Sequence, residues 1–385
     1  MASPTTHDHA AASTLLIAHP SADLYGADLQ LLESVSAMTE RGWRVVVAVP
    51  ADGPLVARLI ERGAEVGFVD YPVLRRANTS AVGFAAMAFD ALRALPRLFR
   101  VIRRFDPSAV YVNTVTLPWW LLAARLAGRR TICHLHEAET GDRSVVLKAL
   151  LSPLLLAHSV IVISRSTLDA MVSVVPRLRS RARLVYNGVP QPPAEPSEAD
   201  RSAPLRAVVV GRLSPRKAPH LALEAVGRLR SQGYDVELEI VGTAFDGYEW
   251  YVTELEQRAA RPDLAGAVSF TGYASPIWPV LARADIAVAP SLREPFGNAV
   301  VEAQLSRRPV VATAALGHTE SIADGRTGLL VPAEDVPAMA QAIARLVDDP
   351  ELARRLADDG RRSALERFST ERYRSEIADV VTGER

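Results

Sequence analysis

The run Asp285-Ile286-Ala287-Val288-Ala289-Pro290, closely followed by Glu294-Pro295-Phe296-Gly297-Asn298-Ala299-Val300-Val301-Glu302, decides how this 385-residue chain is read. The first piece is short, apolar and closed by proline, as a buried strand is. The second opens on a Pro-Phe-Gly turn and continues as a helix-like stretch to about Arg307. A glycine turn that opens a helix directly after a parallel strand presents backbone N–H groups to an anion. Two carboxylates flank that place, Glu294 before the helix and Glu302 about two turns into it. Carboxylates repel phosphate and accept hydrogen bonds from hydroxyls. The pair therefore suits a molecule that carries both, as a nucleotide-sugar does.

The same alternation of β-rich runs and helical stretches extends outward in both directions. Strands are expected near Thr14–Ala18, Arg44–Val49, Glu65–Val69, Ala109–Asn113, Arg130–His134, Ser159–Ser164 and Arg183–Tyr186. After a segment rich in proline, alanine and acid come Leu205–Val210, Asp235–Val241, Ala267–Thr271, Asp285–Ala289, Pro309–Ala312 and Gly328–Val331. Alternation of this kind implies parallel sheets wrapped by helices, and two runs of it imply two Rossmann-like, doubly wound α/β domains facing across a cleft. The expected division is 13–190, a linker 191–204, and 205–367. The segment 368–385 has helical spacing and is expected to pack back on the first domain.

Composition narrows the function classes. Apolar residues make up 49% of the chain, enough for a large core, and the formal net charge is zero. No global attraction to nucleic acid follows. The single cysteine, Cys133, excludes an internal disulfide and fits a reducing compartment. Met1 to Ser13 is polar and lacks the features of a signal peptide, so a cytoplasmic protein is expected.

Gly211-Arg212-Leu213-Ser214-Pro215-Arg216-Lys217 follows the first strand of the second half. An arginine fork binds two phosphate oxygens and lysine supplies a compact charge. Only two of the 44 basic residues are lysines, Lys148 and Lys217, so lysine here departs from the chain's usage. The bland alternative is a solvated basic loop.

Together these segments resemble the retaining glycosyltransferases of family 4, which have the two-domain GT-B fold. Gly-Arg-Leu, three residues, then Lys is similar to that family's diphosphate loop, and Glu294 and Glu302 to its paired-glutamate motif. Tyr186-Asn187-Gly188-Val189, Gly317-His318-Thr319-Glu320 and Asp324-Gly325-Arg326-Thr327-Gly328 agree. The resemblance implies that Arg212 and Lys217 neutralise the donor diphosphate, Glu302 accepts from the ribose and Glu294 holds the transferred sugar. It further implies that backbone N–H groups of Phe296, Gly297 and Asn298 fix sugar and phosphate, and that Gly211, Gly242 and Tyr273 lie beside the nucleotide. Bland alternatives are an exposed helical carboxylate for Glu302 and a helix-terminal charge for Glu294. No Asp-x-Asp occurs in the chain, so no metal or other cofactor is expected. Ala218 stands where the family commonly has glycine and is expected only to stiffen the loop.

In the first half, Ser21-Ala22-Asp23-Leu24-Tyr25-Gly26-Ala27-Asp28 resembles the family's glycine-rich loop, with Tyr25 in place of one glycine. Gly26 can approach a phosphate closely. Tyr25 either lines an acceptor pocket or packs, and Asp28 has helix-terminal stabilisation as a sufficient role. His19, at the end of the first strand, either faces the cleft or packs. His134-Leu135-His136-Glu137 ends another strand and puts two histidines on one face. No second cluster completes a zinc site. By resemblance His136 touches the donor sugar, with Glu137 as the second candidate, while His134 is read as a satisfied core residue.

Arg93, Arg97, Arg100 and Arg104 recur at helical spacing opposite Leu95, Leu98 and Ile102, with Pro96 expected to kink the helix or begin a new one. Such a face either sits in water or contacts an anionic membrane at its cytoplasmic side. The expected activity is transfer of a hexosyl group from a nucleoside-diphosphate sugar to a glycan, lipid-linked or small-molecule acceptor, in cell-surface glycan synthesis. A nucleotide-sugar epimerase, a sugar phosphorylase and a non-catalytic nucleotide-sugar-binding protein are the competing readings.

Overall fold

Among the described residues thirteen strands, all parallel to their neighbours, form two separate sheets. The computed structural model describes residues 13–24, 26–74, 81–137, 144–201, 204–245 and 247–384, with the backbone alone at 81–88 and 144. The chain divides into two units, the first made of residues up to Gly188 together with Glu371 onward, the second of Val189–Thr370.

The first unit runs β1 (Thr14–Ala18), α1 (Gly26–Thr39), β2 (Arg44–Val49), α2 (Pro54–Glu61), β3 (Glu65–Phe68), α3 (Ala81–Phe105), β4 (Ala109–Val112) and α4 (Pro118–Leu126). It continues with β5 (Arg130–Leu135), α5 (Ser144–Leu151), β6 (Ser159–Val162), α6 (Arg165–Val174) and β7 (Ala182–Leu184). The strand order is β3-β2-β1-β4-β5-β6-β7. Because side chains alternate along a strand, each apolar run feeds two cores. Leu16, Ala18, Val110 and Val112 join Leu98, Trp120 and Met171 on one face, whereas Leu15, Ile17 and Tyr111 join Leu31 and Leu55 on the other.

The second unit runs β8 (Leu205–Val210), α7 (Pro219–Ser231), β9 (Val236–Val241), α8 (Glu249–Ala259), β10 (Val268–Gly272), α9 (Trp278–Arg283) and β11 (Ile286–Ala289). Then come α10 (Asn298–Leu305), β12 (Val310–Thr313), α11 (His318–Ser321), β13 (Leu329–Val331), α12 (Val336–Asp348) and α13 (Pro350–Arg367). The order is β10-β9-β8-β11-β12-β13. Ala207 and Val209 pack with α7 and α12 residues on one face, and Val208 packs with Val280, Val300 and Ala303 on the other.

The final helix, α14 (Thr370–Thr382), supplies Tyr373, Ile377, Val380 and Val381 to the core of the first unit. The Tyr373 hydroxyl lies 2.7 Å from Ser34 Oγ on α1, and Arg374 donates to Glu33 at 2.6 Å and 2.8 Å.

Three local expectations change. Pro96 lies inside one continuous helix, α3, rather than dividing it; its ring falls on the solvent side while Leu98 and Ile102 hold the other face in the core. Glu302 is about one turn into α10, not two, because the helix opens at Asn298. Ala218 caps α7 with φ 52° and ψ 43°, a left-handed conformation that strains a residue with a Cβ.

Candidate active site

In each sheet the strand order reverses between two neighbours, β1 and β4 in the first and β8 and β11 in the second. Loops that leave the carboxyl ends of such neighbours diverge and open a crevice. The loops after β8 and β11 carry Gly211–Lys217 and Pro290–Gly297.

Backbone contacts hold these loops together. Leu292 N donates to Arg216 O at 2.9 Å, and Leu213 N donates to Thr243 O at 3.0 Å on the loop after β9. Gly242 has φ +145°, and a Cβ there would sit 1.9 Å from Gly211 O. Glycine at 242 thus lets the strand-end backbones meet. Gly297, at φ +100°, precedes α10; a Cβ there would fall 2.8 Å from the His318 ring.

On this frame Lys217 Nζ donates to Glu294 Oε2, and Ser291 Oγ lies 3.4 Å from the same oxygen. Burial pushes the Glu294 carboxyl up, but the charges of Lys217 and His318 outweigh it and hold the group below the usual carboxylate range. Glu302 differs. Burial pushes its carboxyl up to about 7, with Lys217 opposing only in part. One glutamate is therefore a paired anion and the other is poised near neutrality. His318 is buried, its Nδ1 lies 3.0 Å from Thr313 O, and burial lowers its proton affinity.

Arg212 lies over the Phe245 ring, 3.3 Å from guanidinium carbon to centroid. Tyr273, after Gly272 at the end of β10, is half exposed. Phe296 is 2% exposed and packs edge-on against Phe368 with ring centroids 5.3 Å apart, so its side chain belongs to the core. Asn298 is the first residue of α10.

The carboxyl edge of the first sheet holds a second cluster. His19, after β1, is 1% exposed, with Nε2 2.6 Å from Asp28 Oδ1 in the first turn of α1. Asn113, after β4, places Nδ2 3.0 Å from His19 Nδ1 and Oδ1 2.9 Å from His136 Nε2. Burial, and then proximity to His19, lowers the His136 imidazole to about 3, so it is neutral. His134 stands beside it with ring centroids 3.9 Å apart. Its Nδ1 meets Tyr111 Oη at 2.6 Å, but Nε2 is buried without a partner among the described residues, so this histidine is only half satisfied. Gly26 opens α1 and Glu137 follows His136, partly buried, whereas Tyr25 lies outside the described residues. Cys133 is fully buried and burial raises its thiol pKa, which leaves it inert.

Sequence reasoning named neither Phe245 nor Ser291, and took Asn113 only as the last residue of a strand. Asn113 had a usable signal, a polar residue at the end of an apolar strand. Among the described residues no group of three His, Cys, Asp or Glu side chains could hold a metal ion, and no helix is long and apolar enough to cross a membrane. Arg93, Arg97, Arg100 and Arg104 are all exposed on α3. Arg97 pairs with Asp70 at 2.9 Å, and Arg93 lies over Phe89, which is itself exposed.

Two parallel α/β sheets, one bearing a basic loop against paired glutamates at its switch point, define a GT-B type of glycosyltransferase architecture. Two family models match the chain, Glycosyltransferase Family 4 over residues 26–191 and Glycosyl transferases group 1 over residues 204–349. The chain belongs to the family 4, group 1 glycosyltransferases. Putative glycosyltransferase EpsD of Bacillus subtilis (strain 168) is 42% identical over 115 residues, 30% of each chain. Alpha-D-kanosaminyltransferase of Streptomyces kanamyceticus is 32% identical over 173 residues, 44% of each. Lipopolysaccharide core biosynthesis glycosyltransferase LpsE of Rhizobium meliloti (strain 1021) is 35% identical over 162 residues, 42% of this chain and 45% of its own. The matched stretch spans less than half the length of each of these relatives. Among solved structures, Anabaena Alr3699/HepE in complex with UDP and glucose superposes with a TM-score of 0.81 at 23% identity, covering 96% of this chain and 99% of its own.

Proposed function

We propose that the protein transfers a sugar from a nucleoside diphosphate to an acceptor hydroxyl, with retention at the anomeric carbon and without a metal ion. The observation that carries this reading is the contact of Lys217 with Glu294 at the β8/β11 switch point, with Arg212 on the same loop. When a donor binds, its diphosphate competes for Lys217 and Arg212, and Glu294 turns its freed oxygens to hydroxyls of the sugar. Glu302 accepts from the ribose. Gly211, Gly242 and Tyr273 flank the nucleotide, and the α10 N-terminus at Gly297–Asn298, with the Phe296 backbone, faces sugar and phosphate.

Breaking the bond from the anomeric carbon to the diphosphate oxygen leaves an oxocarbenium-like centre and an anion. Fixed cations stabilise that anion as charge develops on it. The acceptor oxygen bonds to the vacated face and its proton passes to the departing phosphate oxygen. In the first unit, taken by itself, His136 accepts a hydrogen bond from a sugar hydroxyl, with Gly26 and Glu137 on adjoining loops. Support for a nucleotide-sugar comes from the UDP-glucose complex of Anabaena Alr3699/HepE, and for a lipid-linked cell-surface glycan as acceptor from LpsE, a lipopolysaccharide core biosynthesis glycosyltransferase. The exposed arginines of α3, with Phe89 and Leu92 beside them, fit peripheral contact with anionic lipid; failure to sediment with anionic vesicles would remove that part.

The test is a thermal-shift and hydrolysis screen against UDP-, GDP- and ADP-sugars, with and without chelator, repeated with Lys217→Ala. One donor class should stabilise the protein regardless of chelator, and the substitution should abolish the effect. If no nucleotide-sugar stabilises the protein, or Lys217→Ala binds as well, the assignment fails.

A further inference from the structure

The cluster at the carboxyl edge of the first sheet has a direction. A carboxylate only accepts hydrogen bonds, so Asp28 obliges His19 to present Nε2–H to it. A neutral His19 then has a bare Nδ1, which accepts from the Asn113 amide. That turns Asn113 Oδ1 to His136, where it accepts from Nε2–H. The far end of the chain is Nδ1 of His136, which has no hydrogen-bond partner among the described residues and is left with its lone pair. With His19 neutral, every polar contact from Asp28 to His136 is matched donor to acceptor in this direction. Asp28 and Asn113 are 85 positions apart in sequence, and strand order brings them together through the β1–β4 pairing.

We propose that Asp28, His19 and Asn113 are positioning residues that lock His136 as its Nε2–H tautomer, so that its Nδ1 can only accept a hydrogen bond and selects a hydroxyl donor from the substrate. The lock rests on the geometry of the free protein; the substrate half rests on the reading that His136 meets a sugar hydroxyl. A histidine with no such anchor would exchange tautomers and offer a donor part of the time. Asp28 fits the anchoring role because negative charge is favoured in the first turn of a helix. The contact of His19 with Asp28 is fully buried, and the His19 carbonyl is itself held by the Tyr71 hydroxyl at 2.6 Å.

The test is a long-range proton–nitrogen correlation spectrum of the full chain labelled with ¹⁵N-histidine, recorded without nucleotide-sugar and assigned by single histidine replacements. His19 and His136 should both show a protonated Nε2 and a bare Nδ1. Asp28→Asn should remove the anchor and turn the His136 signals into those of a tautomer mixture. If that variant does not fold, Asn113→Leu cuts the chain in the middle, and should disturb His136 while His19 keeps its signature. A protonated Nδ1 on His136 in the unaltered protein, or His136 signals unchanged in both variants, overturns the proposal.

Kinetics separate the two halves. Asp28→Asn should lower turnover about tenfold but have no further effect in a His136→Ala background, as expected when one residue acts only through another. A purely structural role would add its loss in both backgrounds. If the spectra behave as stated but His136→Ala leaves turnover intact, the tautomer lock stands and the substrate role of His136 falls. If turnover depends on His136 but the spectra do not respond to Asp28, the lock alone falls.

Discussion

Replacing Glu302 by glutamine sets stability against ligand binding. Burial moves this carboxyl from 4.5 to about 7, so the fold binds its proton more tightly than the unfolded chain does. Between those two values the folded state keeps a proton that the unfolded state releases, and stability falls as pH rises. At about 1.4 kcal/mol for each tenfold in proton affinity, the penalty reaches about 3 kcal/mol above pH 7. Glu302→Gln removes it. The substitution should stabilise the free second unit by about 3 kcal/mol at pH 8 and by less than about 1 kcal/mol at pH 5. Hydrogen exchange of the β8 and β11 amides, followed by mass spectrometry at both pH values, reports on this unit without interference from the first. The same variant should lose the stabilisation that a nucleotide-sugar confers, since the amide replaces one of the two accepting carboxylate oxygens with an NH2 donor. Equal gains at pH 5 and pH 8, or destabilisation at pH 8, would refute the argument that burial of the charge is the cause.

Three further outcomes follow from the backbone and the core. Ala218→Gly should relieve the left-handed strain at φ 52° and stabilise the second unit by roughly 1 kcal/mol, measured by urea unfolding. Gly242→Ala would drive a Cβ to 1.9 Å from Gly211 O, so it should cost more than about 3 kcal/mol and abolish donor-dependent thermal shifts; near-normal stability would show that the two loops can separate. Tyr373→Ala should destabilise the first unit by about 3 to 5 kcal/mol, because it empties a fully buried site, and protease digestion should then attack β1 and α1 first.

The fold class was legible because parallel strands buried on both faces leave apolar runs of distinctive length. Leu205–Val210 and Arg44–Val49 fall on β8 and β2 residue for residue. The edge strand β7 was less so: it spans Ala182–Leu184 rather than Arg183–Tyr186, since its register depends on β6, its only strand neighbour among the described residues. For the candidate site, the residue types at strand-to-helix loops could be named from the chain. Which of them meet could not. The contact of Lys217 with Glu294 joins positions 77 apart, and it exists because β8 and β11 are neighbours, a fact of strand order that periodicity does not encode. Likewise Asp28 looks like an ordinary helix-terminal acid until His19 and Asn113 are placed beside it. The strain at Ala218 was invisible for another reason, because φ belongs to the turn and not to the residue.

The place of α14 also bears on how the protein is made. Tyr373 and Ile377 belong to the same core as Leu15 and Ile17, yet more than 350 residues separate them in the chain. On the ribosome the first unit emerges early but lacks one wall of its core until residues 370–382 have been synthesised. The second unit, continuous from Val189 to Thr370, has all its strands and core helices before then. The usual order of domain completion, N-terminal first, is therefore reversed. Until synthesis reaches α14, the α1 face that carries Gln30, Glu33 and Ser34 lacks the Tyr373 and Arg374 side chains that cover it in the finished fold.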